Sequence, residues 1–118
     1  MKKKELIEHY RQLFAPYLNK PVTCELGKHT FDTVITDVTI PKQTDVYNLP
    51  DKRVNSAGKQ YTPQLLQIIT SGGETIDIVI EDIDKSYVNS QGLFLEVGNT
   101  RIRFYEGIDA DKPTTTTG

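Results

Sequence analysis

The chain has 118 residues, of which 36% are hydrophobic and 25% are charged, and its formal net charge is −2. This length and composition are typical of one folded domain, and they exclude two full-sized domains and a wholly disordered chain. The charge excludes a strongly basic surface and an extremely acidic one, but leaves room for a local basic patch. The single cysteine, Cys24, excludes an internal disulfide and favours a cytoplasmic location.

The first segment, MKKKELIEHYRQLF, predicts an α-helix over residues 2–15. Its apolar residues recur at steps of three and four and form one stripe: Leu6, Tyr10, Leu13, Phe14 and Tyr17, widened by Ile7. We expect this stripe to pack on the protein's own sheet, and docking into a groove of a partner is the alternative. Interspersed charges exclude a signal peptide, and no run in the chain approaches the roughly 20 apolar residues of a membrane helix.

From Pro21 onward, apolar residues alternate with a period of two, which predicts β-strands. Six strands are expected, at residues 22–26, 31–40, 65–70, 76–83, 93–97 and 100–105. The pair Gly98-Asn99 between the last two runs is a strong hairpin signal. The tail at 109–118 has little to bury, and we expect it to be disordered.

Two stretches of ten residues are nearly alike, TFDTVITDVT at 30–39 and TIDIVIEDID at 75–84. Both copies shift their apolar alternation by one residue, at 36–37 and at 81–82. Such a shift is typical of a β-bulge or a sharp bend, and bent strands allow a small sheet to curl. A duplication and the chance reuse of strand-forming residues both explain the similarity, and they predict the same fold.

The predicted fold is mainly β: a small antiparallel β-barrel or curled sheet of about six strands with one N-terminal helix, forming a single domain over residues 1–108. A short helix followed by hairpins with a bent second strand resembles the Sm-like and SH3-like small barrels. The stretch LLQIITSGGETIDIVIEDID resembles the first two strands of an Sm-like or YolD-like domain, and LFLEVGNTRIRFYEGI suits the strands that follow. The resemblance implies the fold alone, because Asp32 and Asp77 stand where Sm-like barrels usually place a glycine and no RNA-contacting strand is recognisable.

No constellation of residues predicts catalysis, so we expect no enzyme, no cofactor and no metal site. Cys24 and His29 are a candidate nucleophile and base, but Cys24 alternates with Val22 and Leu26 and should face the core. A run of carboxylates offers oxygen ligands to a cation: Glu74, Asp77, Glu81, Asp82 and Asp84. Carboxylates on a strand alternate between its two faces, so these side chains should diverge and form a solvated acidic face.

The long segment 41–63 is the main candidate for function, because loops of this length without periodicity are uncommon in compact domains. It gathers basic and aromatic residues: Tyr47, Lys52, Arg53, Lys59 and Tyr61. A second candidate patch lies on the outer face of the last hairpin and consists of Arg101, Arg103 and Tyr105. These residue types suit a protein interface or single-stranded nucleic acid, and scattered surface charges need no function at all.

The sequence therefore favours a non-enzymatic binding module, a protein–protein interaction or adaptor domain whose partner is a protein. A single-stranded nucleic-acid binder of Sm-like type is the alternative, which the acidic net charge disfavours unless the basic loop is isolated from the acidic strand. A structural subunit of a larger, phage-type assembly is a third class. No membrane association is expected, and the oligomeric state is left open.

Overall fold

A computed structural model describes residues 2–106, and this part of the chain contains one α-helix and nine strands. The helix α1 spans Lys3–Phe14 and continues into a 3₁₀ turn at Ala15–Tyr17. The strands are β1 (Pro21–Leu26), β2 (His29–Thr39), β3 (Arg53–Val54), β4 (Gln60–Tyr61), β5 (Leu65–Thr70), β6 (Thr75–Val79), β7 (Ile83–Asn89), β8 (Gly92–Val97) and β9 (Thr100–Glu106). The mainly β fold with an N-terminal helix is confirmed, and the predicted disordered tail at 109–118 lies outside the described residues.

Seven of these strands form one antiparallel sheet in the order β6-β5-β2-β1-β9-β8-β7. Strands β3 and β4 form a separate two-stranded hairpin inside the long segment 41–63. Strands β6 and β7 are the two edges of the large sheet and do not pair with each other, so the sheet is not closed into a barrel. Of the two predicted forms, the structure shows the open sheet, and this sheet has seven strands where about six were expected.

The two edges of the sheet are nevertheless close together, because only the 3₁₀ turn Ile80–Asp82 separates β6 from β7. Seven strands laid flat would place their edges about 29 Å apart at the usual spacing of ~4.8 Å. The link from Val79 to Ile83 spans at most about 14 Å even when fully extended. The sheet must therefore curl strongly, and its concave side encloses the core.

The bend predicted at residues 36–37 is present in β2. Ile35 pairs with Thr70 and Asp37 pairs with Ile69, so Thr36 is an extra residue in the ladder, as in a β-bulge. The second copy differs, since the 3₁₀ turn at residues 80–82 divides the predicted strand 76–83. The single strand predicted there is wrong, although the change of direction falls where the sequence shifts its alternation.

The core consists of the inner face of the sheet and the apolar stripe of α1. Phe14 and Phe104 are fully buried, and their ring centroids lie 5.2 Å apart in an edge-to-face arrangement. Tyr10 and Tyr17 are buried as well. The stripe therefore packs on the protein's own sheet, as expected. No helix within residues 2–106 is long and apolar enough to cross a membrane.

Candidate partner-binding surfaces

The segment 41–63 is an ordered insertion between β2 and β5, and the hairpin of β3 and β4 lies at its centre. The Asn55 side-chain oxygen accepts hydrogen bonds from the backbone N–H groups of Ala57 (2.9 Å) and Lys59 (3.0 Å). Gly58 has a φ of +79°, a conformation that L side chains rarely adopt. The turn chemistry of Asn and Gly thus forms the hairpin locally, although alternation of apolar residues is absent.

Arg53 attaches this hairpin to the sheet. Its guanidinium donates to both carboxylate oxygens of Asp82, at 2.7 and 2.8 Å, and to Glu81 at 3.0 Å. The Tyr61 hydroxyl lies 2.8 and 2.9 Å from the two carboxylate oxygens of Glu81. Two of the predicted partner-binding residues therefore contact the acidic 3₁₀ turn of their own chain.

The contacts that join Arg53 and Tyr61 to the 3₁₀ turn 80–82 shift the pKa values of three side chains. The hydrogen bonds from Arg53 hold the pKa of Asp82 below its usual value, and the same bonds raise the pKa of Arg53. The hydrogen bond to Glu81 raises the pKa of Tyr61. Because the folded pKa of Asp82 is depressed, its contact with Arg53 stabilises the attachment of the hairpin above the pKa of the free carboxyl, and this stabilisation is lost as the pH falls through the folded pKa.

The exposed residues of the segment are of mixed character, and they include three large apolar side chains. Tyr47 is 97% exposed, Val54 62% and Leu49 49%, and they are three of the four large hydrophobic residues that the described chain leaves exposed. Lys52 and Lys59 are exposed too. Leu49 and Val54 were not among the predicted residues. Their signal was the presence of apolar residues in a segment with no periodicity to bury them.

The second candidate patch lies on the outer face of β9, as expected, because the alternating residues Ile102 and Phe104 are buried. The Arg103 guanidinium lies 3.9 Å from the ring centroid of Tyr105 and 5.9 Å from that of Phe94. Phe94 in turn stacks on Tyr87 at 5.1 Å with an interplanar angle of 12°. These four side chains form a continuous arginine–aromatic row across β7, β8 and β9.

The arginine of this row is largely satisfied within the protein. Arg103 donates to the backbone oxygen of Gln91 at 2.8 Å and to a carboxylate oxygen of Glu25 at 3.3 Å. Arg101 is exposed, and its guanidinium lies 5.7 Å from the Phe94 ring centroid. Burial, followed by the charge of Glu25, raises the pKa of Tyr105. Arg101 is therefore an exposed cation beside the row, and within the row the ring of Phe94 is buried.

The two groups of predicted residues make separate sets of contacts. Arg53 and Tyr61 meet at the 3₁₀ turn 80–82, whereas Arg103 and Tyr105 meet on β9. Within residues 2–106, no hydrogen bond or ion pair joins the segment 41–63 to this second patch. A cavity of about 390 Å³ lies beside the second patch and is lined by Arg103, Tyr105, Tyr17 and Glu106, among others.

The candidate nucleophile Cys24 faces the core, as expected. It is fully buried, and burial together with the charge of Asp32 raises the pKa of its thiol to about 12. His29 is exposed at the start of β2. Within residues 2–106, no group of three or more His, Cys, Asp or Glu side chains is arranged to hold a metal ion.

We expect the Cys24 thiol to be inert in the folded protein, because a thiolate is the reactive species and this site disfavours it. A coloured thiol reagent at neutral pH should modify the native protein at least roughly a hundredfold more slowly than the same protein in 6 M guanidinium, on the scale of local opening. Cys24→Ala should retain the circular dichroism spectrum and the partner binding of the parent. Rapid modification of the native protein would contradict the buried placement.

The comparisons with known proteins identify no relative. No protein-family model matches the chain, and neither the curated proteins nor the solved structures show a significant match to it.

Proposed function

We propose that this chain is a non-enzymatic binding module that contacts a protein partner through the exposed side chains of residues 41–63. The observation that supports this most directly is Tyr47, an aromatic side chain 97% exposed on a segment that is held in place at its base. Tyrosine gives a large contact area at low cost in conformational entropy, and it is enriched among the residues that dominate interface energetics. Leu49 and Val54 add apolar surface of the same kind.

Charge favours a protein partner over nucleic acid. The arginine of the segment, Arg53, is engaged by Glu81 and Asp82, and the arginine of the row, Arg103, is engaged by Glu25. Neither is free to contact phosphate without losing a carboxylate partner. The basic loop is therefore in contact with the acidic strand region, the arrangement under which the sequence disfavours nucleic acid.

As part of the same proposal, the curled sheet is a variant of the SH3-like or Sm-like small barrel, and the protein works in a reducing cytoplasm. The N-terminal helix and the long second strand with its bend at Thr36 support the likeness of fold. The buried, unpaired Cys24 supports the location.

The test is a pull-down from host lysate with the purified protein as bait, carried out with and without nuclease. The variant Tyr47→Ser/Leu49→Ser/Val54→Ser should lose the bound proteins, and nuclease should not release them. Truncating one side chain at the centre of an interface typically costs about 2 kcal/mol of binding free energy, or roughly thirtyfold in Kd, so three changes should abolish capture.

Val88→Ser is the matched control, because Val88 is 47% exposed but lies on β7, outside the segment. It should bind like the parent protein. Capture that survives the triple variant would move the site to the second patch around Arg101. Loss of all captured material on nuclease treatment would instead favour the nucleic-acid alternative.

A further inference from the structure

We propose that Arg53, Glu81 and Asp82 form a latch that holds residues 42–62 against the sheet, and that this segment detaches as a unit while the seven-stranded sheet stays folded. This inference goes beyond the proposed function, since it concerns a motion within the chain and holds whether or not the segment binds a partner.

The segment contributes nothing to the core. No residue from Lys42 to Thr62 is buried, whereas the residues that bracket the segment, Ile40 and Pro63, are. Among the described residues, no backbone hydrogen bond joins 42–62 to the large sheet, and β3 pairs with β4 alone. Elements with few buried contacts and no ladder to their neighbours open at low free energy.

The hairpin cannot hold its place by its own stability. Its two strands contain two residues each, and an isolated two-stranded hairpin is at best marginally stable in water. The hydrogen bonds that connect it to the sheet come from two of its side chains, Arg53 and Tyr61. Arg53 makes the larger contribution, because its planar fork engages Asp82 with two parallel bonds and Glu81 with a third interaction.

The acceptor side of the latch belongs to the sheet and does not depend on the segment. The N–H of Ile80 donates to the backbone oxygen of Gln64 at 3.0 Å, and the N–H of Gly98 donates to the backbone oxygen of Asp82 at 3.2 Å. These bonds fix both ends of the 3₁₀ turn 80–82 through backbone groups. Releasing Arg53 therefore leaves the turn, and the link between β6 and β7, in place.

A looser contact occurs at the matching position of the similar stretch 30–39. Asp37 in the first copy aligns with Asp82 in the second, and Asp37 lies 3.4 Å from the Nε of Arg11 on α1. Both aspartates thus lie at a bend beside an arginine from another element, but the Nε of Arg11 donates to the backbone oxygen of Val38 at 3.0 Å, and the contact of Arg11 with Asp37 is longer than that of Arg53 with Asp82. A further difference is that α1 buries Tyr10 and Phe14, whereas no residue of 42–62 is fully buried, so only the Arg53 contact is a latch.

The test is limited proteolysis of the full chain with trypsin, because the segment contains four cleavage sites: Lys42, Lys52, Arg53 and Lys59. The variant Glu81→Gln/Asp82→Asn removes the carboxylates and keeps every site. Cleavage between 42 and 59 should become about tenfold faster, since proteolysis follows the population of the open form. The urea midpoint of the whole domain should change little, because the sheet is intact.

Glu106→Gln is the matched control, since it breaks an exposed ion pair of 2.8 Å with Lys20 that does not touch the segment. Its cleavage rate within the segment should equal that of the parent. Raising the salt concentration should speed cleavage of the parent protein and leave the Glu81→Gln/Asp82→Asn variant unaffected, because salt screens the contact that this variant lacks.

A second variant, Arg53→Lys, keeps the charge and a tryptic site but loses the bidentate geometry, and its cleavage rate should lie between those of the parent and the double variant. Cleavage of folded Glu81→Gln/Asp82→Asn at the parent rate would overturn the latch. So would faster cleavage accompanied by an equal loss of global stability, because the segment would then be part of the cooperative unit of the sheet.

Discussion

Phe104→Ala is expected to lower the free energy of unfolding by about 3–5 kcal/mol, the range for truncation of a buried phenylalanine. The ring is fully buried on β9, and its edge-to-face contact with Phe14 joins the helix to the centre of the sheet. A domain of this size has a total stability of only about 5–15 kcal/mol. Urea unfolding followed by circular dichroism would measure the loss.

Tyr47→Ala is the control for Phe104→Ala, because it removes an aromatic ring that is 97% exposed. Its free energy of unfolding should stay within about 0.5 kcal/mol of the parent value. If the two variants had the same urea midpoint, Phe104 would not be the packing centre that the structure describes.

Gly92→Ala is expected to destabilise the protein by about 3 kcal/mol or more. Gly92 begins β8 with a φ of +128°, and a Cβ atom added there would collide with the backbone oxygen of Phe104. The strained backbone alone costs of order 1–3 kcal/mol, and the clash with a main-chain atom adds to it because that atom cannot rotate away. The urea midpoint of the purified variant would measure the combined cost.

Gly58→Ala separates the two causes. Gly58 also has a positive φ, +79°, but no atom lies within 4 Å of the Cβ that would be added. Only the conformational cost of about 1–2 kcal/mol applies there, and it falls on the hairpin of β3 and β4 rather than on the sheet. Equal losses at the two glycines would show that the close approach to Phe104 is not maintained in solution.

The sequence predicted those features of the fold that depend on local periodicity and turn chemistry. The stripe of α1, the buried Cys24 and the Gly98-Asn99 turn of the last hairpin are all where the pattern indicated. Strand β7 was missed because it is an edge strand with most of its side chains exposed or half-buried, so apolar residues do not alternate along it.

The candidate site was less predictable, because it depends on pairs of residues far apart in the chain. Arginine is a residue type that often binds partners, so the sequence made Arg53 a candidate. Nothing near Arg53 in the sequence indicates that it binds Glu81, which lies 28 positions later. The contact of Arg103 with Phe94 is of the same kind, because the two residues meet only through the register of β8 and β9. Tyr105 lies two residues from Arg103 on the same strand, and strand alternation alone predicted that pair. Exposed residues such as Tyr47 were recognisable by elimination, as side chains without a periodic pattern to bury them.

The adjacency of β1 and β9 in the sheet has a consequence for how the chain acquires its structure. Glu25 on β1 and Arg103 on β9 are in direct register, although 78 positions separate them. Pairing β1 with β9 therefore closes a loop that contains most of the chain. Such long-range contacts slow folding, because the conformational entropy of the loop is lost before the contacts form. During synthesis β1 emerges early and its second edge stays without a partner until β9 has been made. Over that interval the nascent chain exposes an unpaired strand edge, the feature most prone to pairing with other chains.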